Sequence, residues 1–164
     1  MNILLVQKEG TDLHTTLFTS ETSRMVLRFY RPIRMPCGIY ITLSTLGSAL
    51  SLVAELKWYL RRYVQETLFE LSKGVYCTHL LAQEVYYERV TVLGPTWEFR
   101  KLYGFREGKL ISRVVMDPGS KIDDYHQEYA GVDRSIEIWC TEDELGEKVE
   151  EEAAYSNTAK NTAK

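Results

Sequence analysis

The stretch LGSALSLVAELKWYLRRYVQETLFEL, residues Leu46–Leu71, decides the fold that we predict from the sequence. Its apolar residues recur at the 3.6-residue period of an amphipathic α-helix, which buries one face and leaves the other in water. That apolar face consists of Ala49, Val53, Leu56, Leu60, Tyr63, Val64 and Leu71. Ser44 is a suitable N-cap, and Lys73-Gly74 supply a basic last turn and a glycine stop. We therefore predict one long central helix, which would measure about 40 Å at about 1.5 Å per residue.

The segments on both sides of this helix predict a mainly antiparallel sheet. Alternating or β-branched apolar residues favour strands at residues 2–7, 13–19, 24–33, 39–43, 89–93, 96–103, 109–116 and 135–140. Residues 78–88 predict a shorter helix, and residues 142–154 predict an acidic C-terminal helix. This order of elements is α+β, with a single domain over residues 1–154. The repeated Asn-Thr-Ala-Lys of residues 155–164 predicts a disordered tail.

Length and composition limit the class of protein. The 164 residues are enough for one domain with a core of its own. Because no apolar run reaches the roughly 18–20 residues of a membrane span, we expect no membrane contact. Cys37, Cys77 and Cys140 are far apart and form no CxxC pair, which is typical of buried thiols in a reducing compartment. The sequence thus predicts a small soluble protein of the cytoplasm.

The charges are unevenly distributed along the chain. Residues 1–113 contain 15 Lys and Arg against 10 Asp and Glu, whereas residues 114–164 contain 5 against 13. The first part is therefore net positive and the last part net negative. Ten of the fifteen cations in the first part are arginines, which bind phosphates and carboxylates in a bidentate manner and stack on rings. This bias favours an anionic partner, although the basic body docking its own acidic end is the simpler alternative.

A second stripe follows the polar side of the predicted helix. Trp58, Arg62, Gln65 and Phe69 recur at helical spacing, with Arg61 alongside. Large apolar groups on a polar face need a partner, because extended apolar patches are seldom left in water. We weigh three partners for the Trp58/Phe69 stripe: another part of the same domain, a second copy in a homodimer, or nucleic-acid bases.

Basic residues interleaved with aromatic ones form the leading candidate site. A predicted strand carries four arginines within eleven residues, with Phe29 between them. Alternate arginines on one strand face can follow a phosphate backbone, or can simply keep an exposed strand from pairing with another. The predicted nucleic-acid-binding residues are Arg24, Arg28, Arg31, Arg34, Trp58, Arg61, Arg62, Arg100 and Lys101.

An acidic loop provides an alternative, enzymatic site. Asp117, Asp123, Asp124 and His126 are ligand types that bind Mg²⁺ or Mn²⁺, and such ions assist phosphodiester hydrolysis. Glu128, Glu84 and Glu88 are candidate acid–base partners. A local acidic loop is more often only solvated, however, and the sequence has no P-loop, GxGxxG, GxSxG or HExxH motif.

Three hypotheses follow from the sequence. The leading one is a cofactor-free binding protein that holds DNA or RNA through the arginine and aromatic surface, with a homodimer as an option. The second is a divalent-metal-dependent nuclease or phosphoesterase. The third is a protein–protein adaptor.

Overall fold

The predicted long helix does not form, because residues Leu46–Leu71 divide into two short helices and a strand. The computed structural model describes residues 1–88, 93–94, 96–129 and 131–146, without the side chains of residues 88, 128 and 129. Over these residues the protein is a mixed α/β fold, with one eight-stranded sheet and only short helices. The predicted α+β fold, a sheet on one long central helix, is therefore wrong.

The first half of the chain builds one side of the sheet and most of its helices. Its elements are β1 (Asn2–Gln7), α1 (Leu13–Thr19), α2 (Glu21–Leu27), β2 (Ile33–Met35), β3 (Gly38–Thr42), α3 (Leu46–Glu55), α4 (Lys57–Tyr63), β4 (Val64–Ser72) and β5 (Val75–Thr78).

The second half of the chain completes the sheet. It contains α5 (His79–Gln83), a π-helical turn (Glu84–Glu88), β6 (Arg100–Arg106), β7 (Lys109–Met116), a 3₁₀ segment (Ile122–Tyr129) and β8 (Arg134–Trp139). Residues 142–146 are helical, while the rest of the predicted acidic helix and the predicted tail lie outside the described residues.

Two local features end the helices of the Leu46–Leu71 segment. Leu56 has φ −89° and ψ 4°, outside helical values, so α3 ends before it and α4 begins after it. Val64 is fully extended and starts β4, which pairs with β1 on one side and with β5 on the other. Backbone pairing on both sides overrides the local helical pattern of residues 64–71.

The predicted strand at 13–19 is helix α1, and the predicted strand at 24–33 is the end of helix α2 followed by a turn, with only Ile33 in β2. Asp12 caps α1, because its carboxylate accepts a hydrogen bond from the Thr15 amide at 3.3 Å. The extended backbone of Ser20 separates α1 from α2, and the buried Ser23 hydroxyl ties the two helices by donating to the Leu17 carbonyl. The strand predictions at 13–19 and 24–33 are therefore wrong, since alternation over so few residues also fits a short amphipathic helix.

The strand order in the sheet is β2-β3-β1-β4-β5-β8-β6-β7. The pairings are antiparallel except for that of β5 with β8, which is parallel. The helices pack on one face, where Leu5, Leu17 and Phe69 belong to the main core. Leu4, Leu68 and Tyr103 lie in a second core on the opposite face.

The sheet curls around this second core. Glu66 on β4 accepts hydrogen bonds from Tyr103 at 3.3 Å and from Arg113 on β7 at 3.1 Å. In a flat sheet β4 and β7 would be about 19 Å apart, at about 4.8 Å between neighbouring strands. Two side chains meet across that span only because the sheet bends, so β7 stands opposite β4.

No helix among the described residues has the length and apolar character needed to cross a membrane.

Gly38 provides a test of the close contact between β1 and β3. Its φ is 154°, and a Cβ at this position would lie 1.9 Å from the Leu5 carbonyl oxygen. We predict that Gly38→Ala lowers the free energy of unfolding by about 3 kcal/mol or more, because strain and overlap with backbone add together. Urea unfolding followed by circular dichroism measures the change.

Gly10→Ala is the matched control. Gly10 has φ 78°, but nothing lies within 4 Å of its Cβ position. We therefore expect Gly10→Ala to lower the free energy of unfolding by only about 1 kcal/mol, the cost of backbone strain. Equal losses in the two variants would contradict the tight β1–β3 contact.

Candidate nucleic-acid surface

The arginine-rich segment is not one strand: Arg24 lies on α2, Arg28 and Arg31 follow it in the turn, and Arg34 lies on the short strand β2. Arg24, Arg28 and Arg31 are exposed, and no ion pair to them is found among the described residues. Phe29 is 79% exposed, and the Arg28 guanidinium lies over its ring at 4.4 Å from the centroid. An arginine stacked on an exposed ring presents a charge and a flat apolar surface together.

Helix α4 carries a second arginine–aromatic pair. Trp58 is 57% exposed, and the Arg62 guanidinium lies 4.6 Å from the centroid of the indole. Residues four apart face the same side of a helix, so this pair follows from the local sequence once α4 has formed. Tyr59 and Tyr63 pack edge-on against the indole, with centroid distances of 4.9 and 6.4 Å.

A groove separates α1 from α4 and has the Trp58 ring in its wall. The hydroxyls of Tyr59 and Ser20 are 2.6 Å apart, which fixes α4 against the junction of α1 and α2. The groove has a volume of about 500 Å³, within the range of ligand sites. Its lining combines aromatic rings with hydroxyl groups: Asp12, Thr15, Thr16, Thr19, Ser20, Trp58, Tyr59 and Tyr63.

The one acidic residue of the groove lining, Asp12, is paired with a neighbouring arginine. Arg34 forms an ion pair with Asp12 at 2.7 Å and also reaches Nδ1 of His14 at 3.2 Å. The hydrogen bond from Arg34, followed by those from Thr15, lowers the pKa of Asp12 below its ordinary value. Hydrogen bonding with Ser20 lowers the pKa of Tyr59. Arg34 is thus held by Asp12 beside the groove, whereas Arg62 has no acidic partner among the described residues.

Two of the predicted nucleic-acid ligands are buried and serve the fold. Arg100 is 8% exposed, pairs with Glu137 at 3.1 Å and donates to the Ser120 carbonyl at 2.7 Å. Lys101 is 3% exposed and donates to the Glu144 carbonyl at 3.2 Å. Neither side chain can reach a nucleic acid, so including Arg100 and Lys101 in the site was wrong.

The Trp58/Phe69 stripe does not exist as a surface. Phe69 lies on β4, is fully buried and stacks on His79 with 5.7 Å between the centroids. Gln65 also lies on β4, so helical spacing no longer aligns it with Trp58. A homodimer through this stripe therefore loses its structural basis, while Trp58 and Arg62 remain together on α4.

The acidic residues of the metal hypothesis lie in and before the 3₁₀ segment. Asp117, Asp123, Asp124 and His126 are exposed, and the Asp124 carboxylate accepts a bond from the Lys121 amide at 2.8 Å. Among the described side chains, no group of three or more His, Cys, Asp or Glu residues is placed to hold a metal ion. Glu84 lies in the π-helical turn, and the side chains of Glu88 and Glu128 are outside the description. The metal-dependent hypothesis remains a prediction.

The hydroxyl-bearing residues of the groove were not predicted from the sequence. Thr15, Thr16 and Thr19 favour a strand by composition, and we assigned them no role. The helical spacing of Thr15 and Thr19 together with the Asp12 cap was the local signal that places them on one face of α1.

The fold and this surface define a mixed α/β protein with two exposed arginine–aromatic pairs next to a hydroxyl-lined groove. Residues 1–105 match the model of a family of unknown function, DUF5804, and the chain belongs to this family. The matched residues include both pairs and the whole groove. No curated protein and no solved structure matches the chain.

Arg100 provides a test of the distinction between buried and exposed cations. We predict that Arg100→Ala lowers the free energy of unfolding by about 3 kcal/mol, because the Glu137 charge is left poorly solvated beside β6. Arg113→Ala, which breaks an ion pair of a more exposed arginine, should cost no more than about 1 kcal/mol. Chemical denaturation of both variants measures the difference. Equal losses would contradict a structural role for Arg100.

Proposed function

We propose that this protein binds single-stranded nucleic acid on the face formed by α1, α2 and α4. The observation that carries the proposal is the pair of exposed arginine–aromatic stacks, Arg28 on Phe29 and Arg62 on Trp58. Stacking of bases on such rings contributes about 1–3 kcal/mol per base and tolerates any sequence.

The charge of this face supports the same partner. Residues 12–34 and Arg62 together contain five arginines but only two acidic residues. One of the two acids, Asp12, is already neutralised by Arg34. The remaining exposed arginines can contact phosphates, and each phosphate neutralised adds to the salt dependence of binding.

The groove explains why single strands suit this surface better than a duplex. Bases reach the Trp58 ring only when they are unstacked, because an intact helix presents phosphates and groove edges instead. The Thr15, Thr16 and Ser20 hydroxyls beside the ring can donate to or accept from base or sugar groups, whatever the base.

The thiols fit the location that we propose for this activity. Cys37, Cys77 and Cys140 are free and buried. Free thiols persist in a reducing compartment, so we place the protein in the cytoplasm.

We predict that the protein binds a fluorescein-labelled dT₂₀ oligonucleotide at low salt, as measured by fluorescence anisotropy. Trp58→Ala should weaken binding about tenfold, because one base loses its stacking surface. Arg28→Ala combined with Arg62→Ala should also flatten the dependence of log Kd on log salt concentration.

Trp58→Phe and Lys121→Ala are the controls. Phenylalanine keeps a stacking ring, and Lys121 is exposed and does not line the groove, so both variants should bind within about twofold of the parent protein. Absence of binding at low salt, or full binding by Trp58→Ala, would refute the proposal. Retention of a partner protein without nucleic acid would instead favour the adaptor hypothesis.

A further inference from the structure

A second cavity lies on the other side of α4, between α3, β4 and α5. It has a volume of about 460 Å³, enough for a small organic ligand. Leu50, Val53 and Leu60 provide apolar walls, and Thr67 comes from the face of β4 that the helices cover. The side chain of Tyr87, in the π-helical turn, forms part of the rim. Such turns are frequent at ligand sites, because they widen a helix locally.

His79 supplies a polar group within these apolar walls. Its ring stacks on Phe69, and burial lowers the pKa of the imidazole, which favours its neutral form. A neutral imidazole has one donor and one acceptor nitrogen. The His79 ring has no side-chain hydrogen bond within the described part of the chain, although it lines the cavity.

Two cations stand at the same cavity. Lys57 and Arg61 both line it, are both exposed, and form no ion pair with a described acidic residue. They lie one helical turn apart on α4, so their charges converge on one opening. Arg62, the next residue, points instead to the Trp58 ring. Arg61 and Arg62 are adjacent in the sequence but therefore lie on two different surfaces of α4.

We propose that this cavity binds a small organic anion with an apolar body, such as an aromatic or aliphatic carboxylate, sulfonate or phosphate monoester. The apolar body occupies the space between Leu50, Val53 and Leu60. The acidic group lies at the opening, where Lys57 and Arg61 neutralise it and His79 completes its hydrogen bonds. Charge complementarity favours an anion over a neutral or cationic ligand. Only an anion can form ionic contacts with the two unpaired cations at this apolar cavity.

A matched pair of fluorescent probes tests the proposal. 8-Anilino-1-naphthalenesulfonate has an apolar body and one anionic group, whereas N-phenyl-1-naphthylamine has the same body without the sulfonate. We expect saturable binding of one sulfonate probe per chain. Lys57→Ala with Arg61→Ala should weaken that binding about tenfold and leave the affinity for the neutral probe within about twofold, because only the ionic contacts are removed.

Two variants separate this cavity from other apolar surfaces. Ala54 lines the cavity but is itself exposed on α3, so Ala54→Trp should fill the space and abolish binding of both probes without unfolding the protein. Lys73→Ala with Arg106→Ala removes the same charge from exposed positions outside the cavity and should leave both affinities unchanged. Thermal melting by circular dichroism confirms that each variant is folded.

The proposal is overturned if the sulfonate probe does not saturate, or if Ala54→Trp binds it as the parent protein does. It is also overturned if the Lys57/Arg61 variant binds both probes unchanged, which would show an apolar site without charge recognition. These results are independent of oligonucleotide binding, since Trp58 and Arg62 are retained in every variant.

Discussion

The pairing of β4 with β1 and β5 is the constraint on which the rest of the structure depends. The backbone of β4 pairs with β1 from Val64 to Phe69 and with β5 from Leu68 to Ser72. At its start, the Lys8 amide donates to the Tyr63 carbonyl at 2.9 Å, so the chain leaves the helix where β1 ends. A strand in the middle of a sheet has to satisfy its amides and carbonyls on both edges, and a continuing helix would leave β1 and β5 without that partner.

This constraint places both candidate sites around α4. Because β4 has to enter the sheet at Val64, the preceding helix is only seven residues long and lies across the helix-covered face. One side of α4 then meets α1, where the Tyr59 and Ser20 hydroxyls touch, and the other side meets α3 and α5. Trp58 and Arg62 face the first side, while Lys57 and Arg61 face the second.

The distribution of charge along the sequence does not say which charges are exposed. Arg100 and Lys101 belong to the basic part of the chain, yet the sheet buries them beside Glu137 and the Glu144 carbonyl. Ionic groups are removed from water only when the fold brings partners from distant segments, here 37 and 43 residues away. Arg24, Arg28 and Arg31 have no such partners among the described residues and stay on the surface. Composition therefore indicated an anionic partner but not the residues that would hold it.

Local signals determined several elements from the sequence alone. The short apolar run of β1, the hairpin around Glu107-Gly108 and the strand β8 lie where alternation and turn residues predict them, because each depends on neighbours in the chain. The pairing of Trp58 with Arg62 also follows from helical spacing. Only the tertiary structure decided that Val64–Ser72 is a strand and that residues 13–27 form two helices, since short apolar patterns fit either form until long-range pairing selects one. It alone also formed the hydroxyl groove and the His79 cavity, because their walls come from segments that no local pattern connects.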